Sequence, residues 1–559
     1  MSEENKNIEP EQQTENVPEE ITRKMSIPRK AFKKTEYLKL IKITKIKIMK
    51  LLCLLLLLSF HIAVNAQSKP AGFDSTAIPS AVKSITKHSI TINGKQVNYI
   101  ATAGALILKN EKNEGIALFG YTAYTKEGEN DMGKRPITYA YNGGPGSSSY
   151  WLNMGILGPK RVVVNDPENT PPPPYRSEDN INTVLDISDL VMIDPVGTGI
   201  SQAVGKAKNK DFWGVDQDIK SVSQFIYQYT TENNRWNSPK FLLGESYGGI
   251  RSGGVVNYLQ GKGLAMNGVI LVSVLMDYRT VVFQTGDDFP YIGYMPTYAA
   301  TAWFHNKIAN KPANLEAFLK NAREFAMGEY ANALMKGSAL TNMEKDKMAN
   351  KIASFTGLSK EYVINANLRF NPAQFRQELL RSEHMIAGRL DSRYKGVSQN
   401  LLAESAGYDP QSTAISPAYT SVFLDYYYNT LKVDKNYYYQ TSASGTEGFD
   451  WDWKHAKSSN ARSMPAPAHT GIDLAETMSR NPDLKVLVMH GYYDLATPFL
   501  GIEYTIDHLG LEPDIRNNIS YKYYQAGHMM YLDPASAVTF KKDIAAFIEM
   551  ATNENRAKK

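Results

Sequence analysis

The chain has 559 residues, 43% apolar and 21% charged, which excludes a disordered or low-complexity protein. Its formal charge of +5 is local: residues 1–66 hold 12 Lys/Arg against 8 Asp/Glu, while the remaining 493 residues carry 50 against 49, too even for a main partner that is nucleic acid. The only cysteine is Cys53, so the rest of the chain has no disulfide, thiolate zinc cluster or cysteine nucleophile.

Leu51–Phe60 is an apolar run preceded by 11 Lys/Arg between Arg23 and Lys50. Val64 and Ala66 place small residues at −3 and −1, so the segment reads as a secretory signal cleaved after Ala66. An uncleaved anchor is the alternative, although the run spans only about half a bilayer. The expected location is secreted or periplasmic, with no stable membrane association after cleavage. Met49-Lys50 followed by leucines would suffice as a signal, so Met49 is a candidate start and residues 1–48 a candidate tail.

Ser89–Ala101 reads as a hairpin turning at Asn93-Gly94, and Gly115–Tyr124 as a further strand. Short apolar runs follow at Ile137–Tyr141, Leu190–Ile193, Phe241–Leu243, Val269–Leu275, Val486–Met489 and Ile519–Tyr524. Helical patterns such as Asp216–Thr230 and Ile250–Gln260 lie between several of them. Buried strands alternating with helices predict an α/β fold with a mostly parallel, doubly wound sheet, the antiparallel hairpins at one edge. About 200 residues separate the Val269 and Val486 runs, far more than a crossover needs. Residues 279–480 are therefore expected to be an inserted, mainly helical cap domain, with patterns such as Leu315–Met335 and Met343–Phe355. It divides a core of 67–278 and 481–559, behind the extension and signal of 1–66. Two tyrosine triplets in the insertion, Tyr426–Tyr428 and Tyr437–Tyr439, read as packing and surface.

Gly244-Glu245-Ser246-Tyr247-Gly248 follows an apolar run and opens a helical stretch, the setting of a G-x-S-x-G elbow. The glycines leave room for a tight turn that lifts the Ser246 hydroxyl over the sheet edge, at a helix N-terminus whose N–H groups face a developing oxyanion. A serine nucleophile needs a base. His528, in Ala526-Gly527-His528 just past the last strand, is the candidate, with His490 as rival. The orienting acid is expected between Ser and His in chain order. Asp494, directly after the Val486 strand, fits; Asp277 is the runner-up, and Asp194 precedes the serine and reads as structural. Tyr141–Ser149 contains Gly143-Gly144, whose backbone can approach a substrate oxygen. No HExxH or cysteine ligand set is present, and neither metal nor cofactor is expected.

The segments Asn142-Gly-Gly-Pro-Gly-Ser-Ser-Ser, Asp194-Pro-Val-Gly-Thr-Gly, Gly244-Glu-Ser-Tyr-Gly-Gly, Gly491-Tyr-Tyr-Asp and Ala526-Gly-His-Met resemble, in order, those of the serine carboxypeptidase family, peptidase family S10. The resemblance runs from about residue 100 to the C-terminus and looks closer to bacterial secreted relatives. It implies an α/β-hydrolase fold and release of single residues from peptide C-termini through an acyl-enzyme. It also implies a Ser246–His528–Asp494 triad, an oxyanion hole from the amides of Gly144 and Tyr247, and terminal-carboxylate binding by Asn142 and Glu245. Glu245 can hydrogen-bond a carboxylate only if one of the two acids is protonated. Where many relatives carry a tryptophan and a second glutamate, this chain has Ala140 and Ile156. An esterase or acyltransferase with the same triad, or a non-catalytic binding module, are the competing readings.

Overall fold

Asn93 and Gly94 both adopt positive φ, 50° and 75°, which matches the turn to the twist of its strands. β1 (Lys83–Ile92) and β2 (Lys95–Lys109) therefore pair antiparallel across it, as the dipeptide predicts. This computed structural model describes residues 81–457 and 466–557, all in one unit that begins at Ser75. The signal expected at Leu51–Phe60, its cleavage site and Met49 lie outside the described residues.

The sheet continues through β3 (Gly115–Lys126), β4 (Ile137–Tyr141), β5 (Asp189–Ile193), β6 (Lys240–Glu245), β7 (Gly268–Val272), β8 (Lys485–Gly491) and β9 (Ile519–Tyr524). Its order is β1-β2-β3-β5-β4-β6-β7-β8-β9, antiparallel up to the β3–β5 pair and parallel from β5 to β9. The inner parallel strands are buried on both faces, which is why they read as continuous apolar runs, whereas the edge strand β9 is buried only in part. Along β6, Phe241 and Leu243 enter one core and Leu242 the opposite one. Each such fully buried side chain contributes ~1.5–3 kcal/mol. The run expected to continue as strand to Leu275 stops at Val272, because Ser273 turns to φ 49°, out of strand geometry.

Helices α1 (Val215–Glu232) and α2 (Gly248–Gly261) cover the Leu242 face. Between β7 and β8 the chain leaves the sheet. There α3 (Phe289–Phe304), α4 (Leu315–Phe325) and α5 (Asn342–Thr356) build a separate core around Tyr298, Leu319, Phe325 and Ile352. The helical pattern over Leu315–Met335 is interrupted by a π-type turn at Ala326–Tyr330. The α5 start is a capping box of Thr341 and Glu344, and Gly357 ends it in the left-handed region. Tyr492, Leu495 and Phe499, from beyond β8, insert into the same core. α6 (Pro410–Asp425) packs on the Leu243 face, with Tyr426, Tyr427 and Tyr439 buried beside it and Tyr438 exposed. α7 (Gly471–Arg480) returns to α2, α8 (Phe499–Asp507) follows β8, and α9 (Pro534–Ala557) covers the Leu243 face. Among the described residues no helix is long and apolar enough to cross a membrane.

Candidate active site

β6 ends in the turn that carries Ser246, and α2 starts two residues later. Ser246 has φ 61°, a left-handed conformation costly for a side-chain-bearing residue, and its N–H is held by the Val272 carbonyl at 3.0 Å. A Cβ on Gly244 would lie 2.4 Å from the Gly248 carbonyl oxygen, so only glycine lets the strand turn this tightly into the helix. The half-buried Ser246 lines a cavity of about 500 Å³ together with Asn142, Gly144, Glu245, Tyr247 and His528.

His528 and Asp494 come from the turns after β9 and β8, at the same end of the sheet. His528 Nδ1 lies 2.7 Å from Asp494 Oδ2. The other carboxylate oxygen, Oδ1, accepts the N–H groups of Ala496 and Thr497 at 2.8 and 3.1 Å. Thr497 Oγ1 donates to Oδ2 at 2.7 Å and also lies within 2.9 Å of the Ser273 carbonyl. Four hydrogen bonds thus stabilise a carboxylate that is fully buried. Burial works against a charged His528, but the Asp494 charge and hydrogen bond outweigh it and, with Glu245, hold the imidazole above its ordinary value. The Ser246 hydroxyl is not hydrogen-bonded to the imidazole in this structure, although both residues line the cavity.

The loop after β4 forms the facing wall. Gly143 passes the Ser246 turn so closely that a Cβ would lie 2.4 Å from the Tyr247 nitrogen. Gly144 takes φ 106°, open to glycine, and neither its N–H nor that of Tyr247 has a hydrogen-bond acceptor among the described residues. Asp194 holds the far end of this loop by accepting both the N–H and the hydroxyl of Ser149 at 2.8 Å, and the Tyr439 hydroxyl at 2.9 Å. Burial pushes its carboxyl up to about 6.

Asn142 Nδ2 donates to Glu245 Oε1 at 2.7 Å, and the Tyr531 hydroxyl donates to Oε2 at 2.8 Å. Burial pushes the Glu245 carboxyl up to about 7, His528 and these two hydrogen bonds only partly opposing it. Asn142 is itself fixed: its Oδ1 accepts the Leu152 N–H at 3.0 Å, and its carbonyl accepts Arg251 Nη1 at 2.6 Å. Arg251 is fully buried, paired with Asp218 at 2.7 Å and stacked over Tyr141 and Tyr247. Neither Arg251 nor Tyr531 stands out in the sequence. Arg251 reads as an ordinary helix residue, and Tyr531 is signalled only by following His528.

The rivals are placed elsewhere. His490 is buried in β8 with Nε2 accepting the Val274 N–H at 3.2 Å, and burial lowers its pKa to about 4, so it is a neutral packed residue. Asp277 is paired with Arg279 and lies near His469, not His528. A stretch the sequence did not single out, 388–394, ties the site together. The Leu390 carbonyl accepts the His528 N–H at 2.7 Å, the Arg389 carbonyl accepts the Leu495 N–H at 3.0 Å, and Asp391 accepts the Gly527 N–H at 2.9 Å. Among the described residues no group of three or more His, Cys, Asp or Glu is placed to hold a metal ion.

The model of the family described as serine carboxypeptidase matches residues 96–542. No curated protein matches the sequence. Among solved structures, the chain is similar to Kex1Δp, a prohormone-processing carboxypeptidase from Saccharomyces cerevisiae, at 16% identity and TM-score 0.49, covering 82% of this chain and 92% of that one. It is also similar to a proline iminopeptidase from Mycobacterium smegmatis, at 14% identity and TM-score 0.33 over 84% and 100% of the two chains. An esterase from Thermogutta terrifontis follows at 10% identity and TM-score 0.30 over 84% and 99%. With the family model spanning most of its length, the chain belongs to the serine carboxypeptidase family, a hydrolase built on the α/β-hydrolase fold.

Proposed function

We propose that the protein removes residues from peptide C-termini through an acyl-enzyme formed on Ser246. The observation that carries this reading is the buried Asp494–His528 pair at 2.7 Å, its imidazole lining the same cavity as Ser246 and the two unpartnered amides. Ser246 Oγ attacks the scissile carbonyl and His528 Nε2 takes its proton, while the Asp494 charge stabilises the imidazolium. The amides of Gly144 and Tyr247 receive the oxyanion. The imidazolium then protonates the departing amine, and water reverses the sequence to free the shortened peptide.

Asn142 and Glu245 hold the terminal carboxylate in this reading. With its pKa about 7, Glu245 keeps its proton in acidic solution and can donate it to the substrate carboxylate. Above that value an ionised Glu245 repels the same group. The chain between β7 and β8, roughly 279–480, acts as the cap over the cavity. Secretion through the Leu51–Phe60 signal, with cleavage after Ala66, belongs to the same proposal.

The test is mass spectrometry of N-terminally blocked peptides with a free or an amidated C-terminus, digested across pH. Stepwise release of single residues from the free-carboxylate form supports the reading. Hydrolysis of simple esters with both peptides left intact replaces it by an esterase.

A further inference from the structure

The cavity wall carries one guanidinium, and it comes from the 388–394 stretch. Arg389 lines the cavity, its side chain is exposed, and among the described residues it makes no ion pair. Its backbone is nevertheless pinned on both sides. The N–H donates to Asp409 Oδ1 at 2.5 Å, and the carbonyl accepts the Leu495 N–H one residue beyond Asp494. A long cationic side chain on an immobilised backbone beside the reacting groups is poorly explained as a solvated surface residue.

The other acid–base groups on that wall are committed. Glu245 is buried and bonded to Asn142 and Tyr531, and His528 is bonded to Asp494. Arg389 acts electrostatically on His528 and on Tyr278 and Tyr294, which line the same cavity. A substrate whose terminal carboxylate sits at Asn142–Glu245 brings a second negative charge to Arg389 only through an acidic side chain.

We propose that Arg389 determines specificity by pairing with an Asp or Glu side chain on one of the two residues flanking the scissile bond. Val281, Phe283 and Tyr294, which line the same cavity, offer apolar surface to the methylenes of that side chain. A guanidinium facing a carboxylate forms a directional, charge-assisted pair that an isosteric amide cannot match. This inference rests on the carboxypeptidase reading for the placement of the substrate, but its test does not depend on turnover.

Calorimetric titration of the Ser246→Ala protein compares blocked tripeptides with Glu or with Gln at the terminal or penultimate position. The Glu peptide is expected to bind at least tenfold more tightly at one of the two positions. Adding Arg389→Gln is expected to erase that difference, and Arg389→Glu to reverse it in favour of Lys. The C-terminal amide of the same peptide is expected to lose equal affinity with and without Arg389→Gln. Equal affinities for Glu and Gln, no binding of either, or a preference surviving Arg389→Gln overturn the proposal. Loss of the carboxylate-over-amide difference in Arg389→Gln also overturns it, by assigning Arg389 to the terminal carboxylate. Peptide turnover by the unmodified protein is a separate measurement, so failure of the peptidase reading is distinguished from failure of this one.

Discussion

Two buried histidines of this chain meet carboxylates in different ways. His455 has one on each ring nitrogen, Asp216 Oδ1 at 2.5 Å from Nδ1 and Asp473 Oδ2 at 2.8 Å from Nε2. Burial opposes its charge, but the two acids win and raise its pKa to about 9, so it is an imidazolium that clamps the 451–457 stretch to α1 and α7. His528 has a carboxylate on Nδ1 alone, and among the described residues Nε2 has no hydrogen-bond partner. One acid orients a ring and leaves its far nitrogen free for proton transfer; two acids on one ring make a fixed cation. His490, with no carboxylate bonded, completes the series as a neutral ring.

This contrast can be broken by mutation. The largest effect is expected from Ser246→Ala, with kcat/KM for peptides falling about 10⁴-fold or more while the circular dichroism spectrum is unchanged. Retained turnover would remove Ser246 from the chemistry. Next, Asp494→Asn leaves a donor where an acceptor is needed and should lower kcat by about 10³–10⁴-fold. If that variant keeps its kcat, the Asp494–His528 pair is no more catalytic than the His455 clamp.

The mirror experiment is Asp473→Asn. Urea unfolding should register a loss of about 1.5–3 kcal/mol, the range for a buried hydrogen bond to a charged group, with kcat/KM unaltered. The His455 clamp also has a pH signature. Its folded pKa lies above the unfolded value near 6.5, so its stabilisation is complete below pH ~6.5 and is lost as pH rises through about 9. Thermal melts between pH 6 and 10 should show that decline in the unmodified chain and a flatter curve in His455→Gln. The smallest effect concerns Glu245. KM for free-carboxylate peptides should rise several-fold as pH passes about 7, and Glu245→Gln should flatten that rise while changing the pH dependence of kcat less. An unaltered KM profile detaches Glu245 from carboxylate binding.

Local rules carried much of the fold. The Asn93-Gly94 turn needed only two residues that tolerate positive φ, and β4 and β9 coincide with the apolar runs Ile137–Tyr141 and Ile519–Tyr524. Periodicity could not show that β7 ends at Val272, where Ser273 turns to positive φ with its hydroxyl donating to the His528 carbonyl, far along the chain.

At the site the division is similar. Ser246, Asp494 and His528 were legible as candidates because a tight strand-to-helix turn and two strand-end loops constrain residue type within a few neighbours. Tyr531, Arg251 and Arg389 were not legible, because each acts on a group distant in sequence: Glu245, Asn142 and the shared cavity. The order of elements and the candidates for the reacting groups are thus determined by the sequence, through short-range backbone preference and burial period. Which carboxylate meets which histidine, and which charge faces the cavity, is decided only in the tertiary structure, since those energies depend on through-space distance and desolvation.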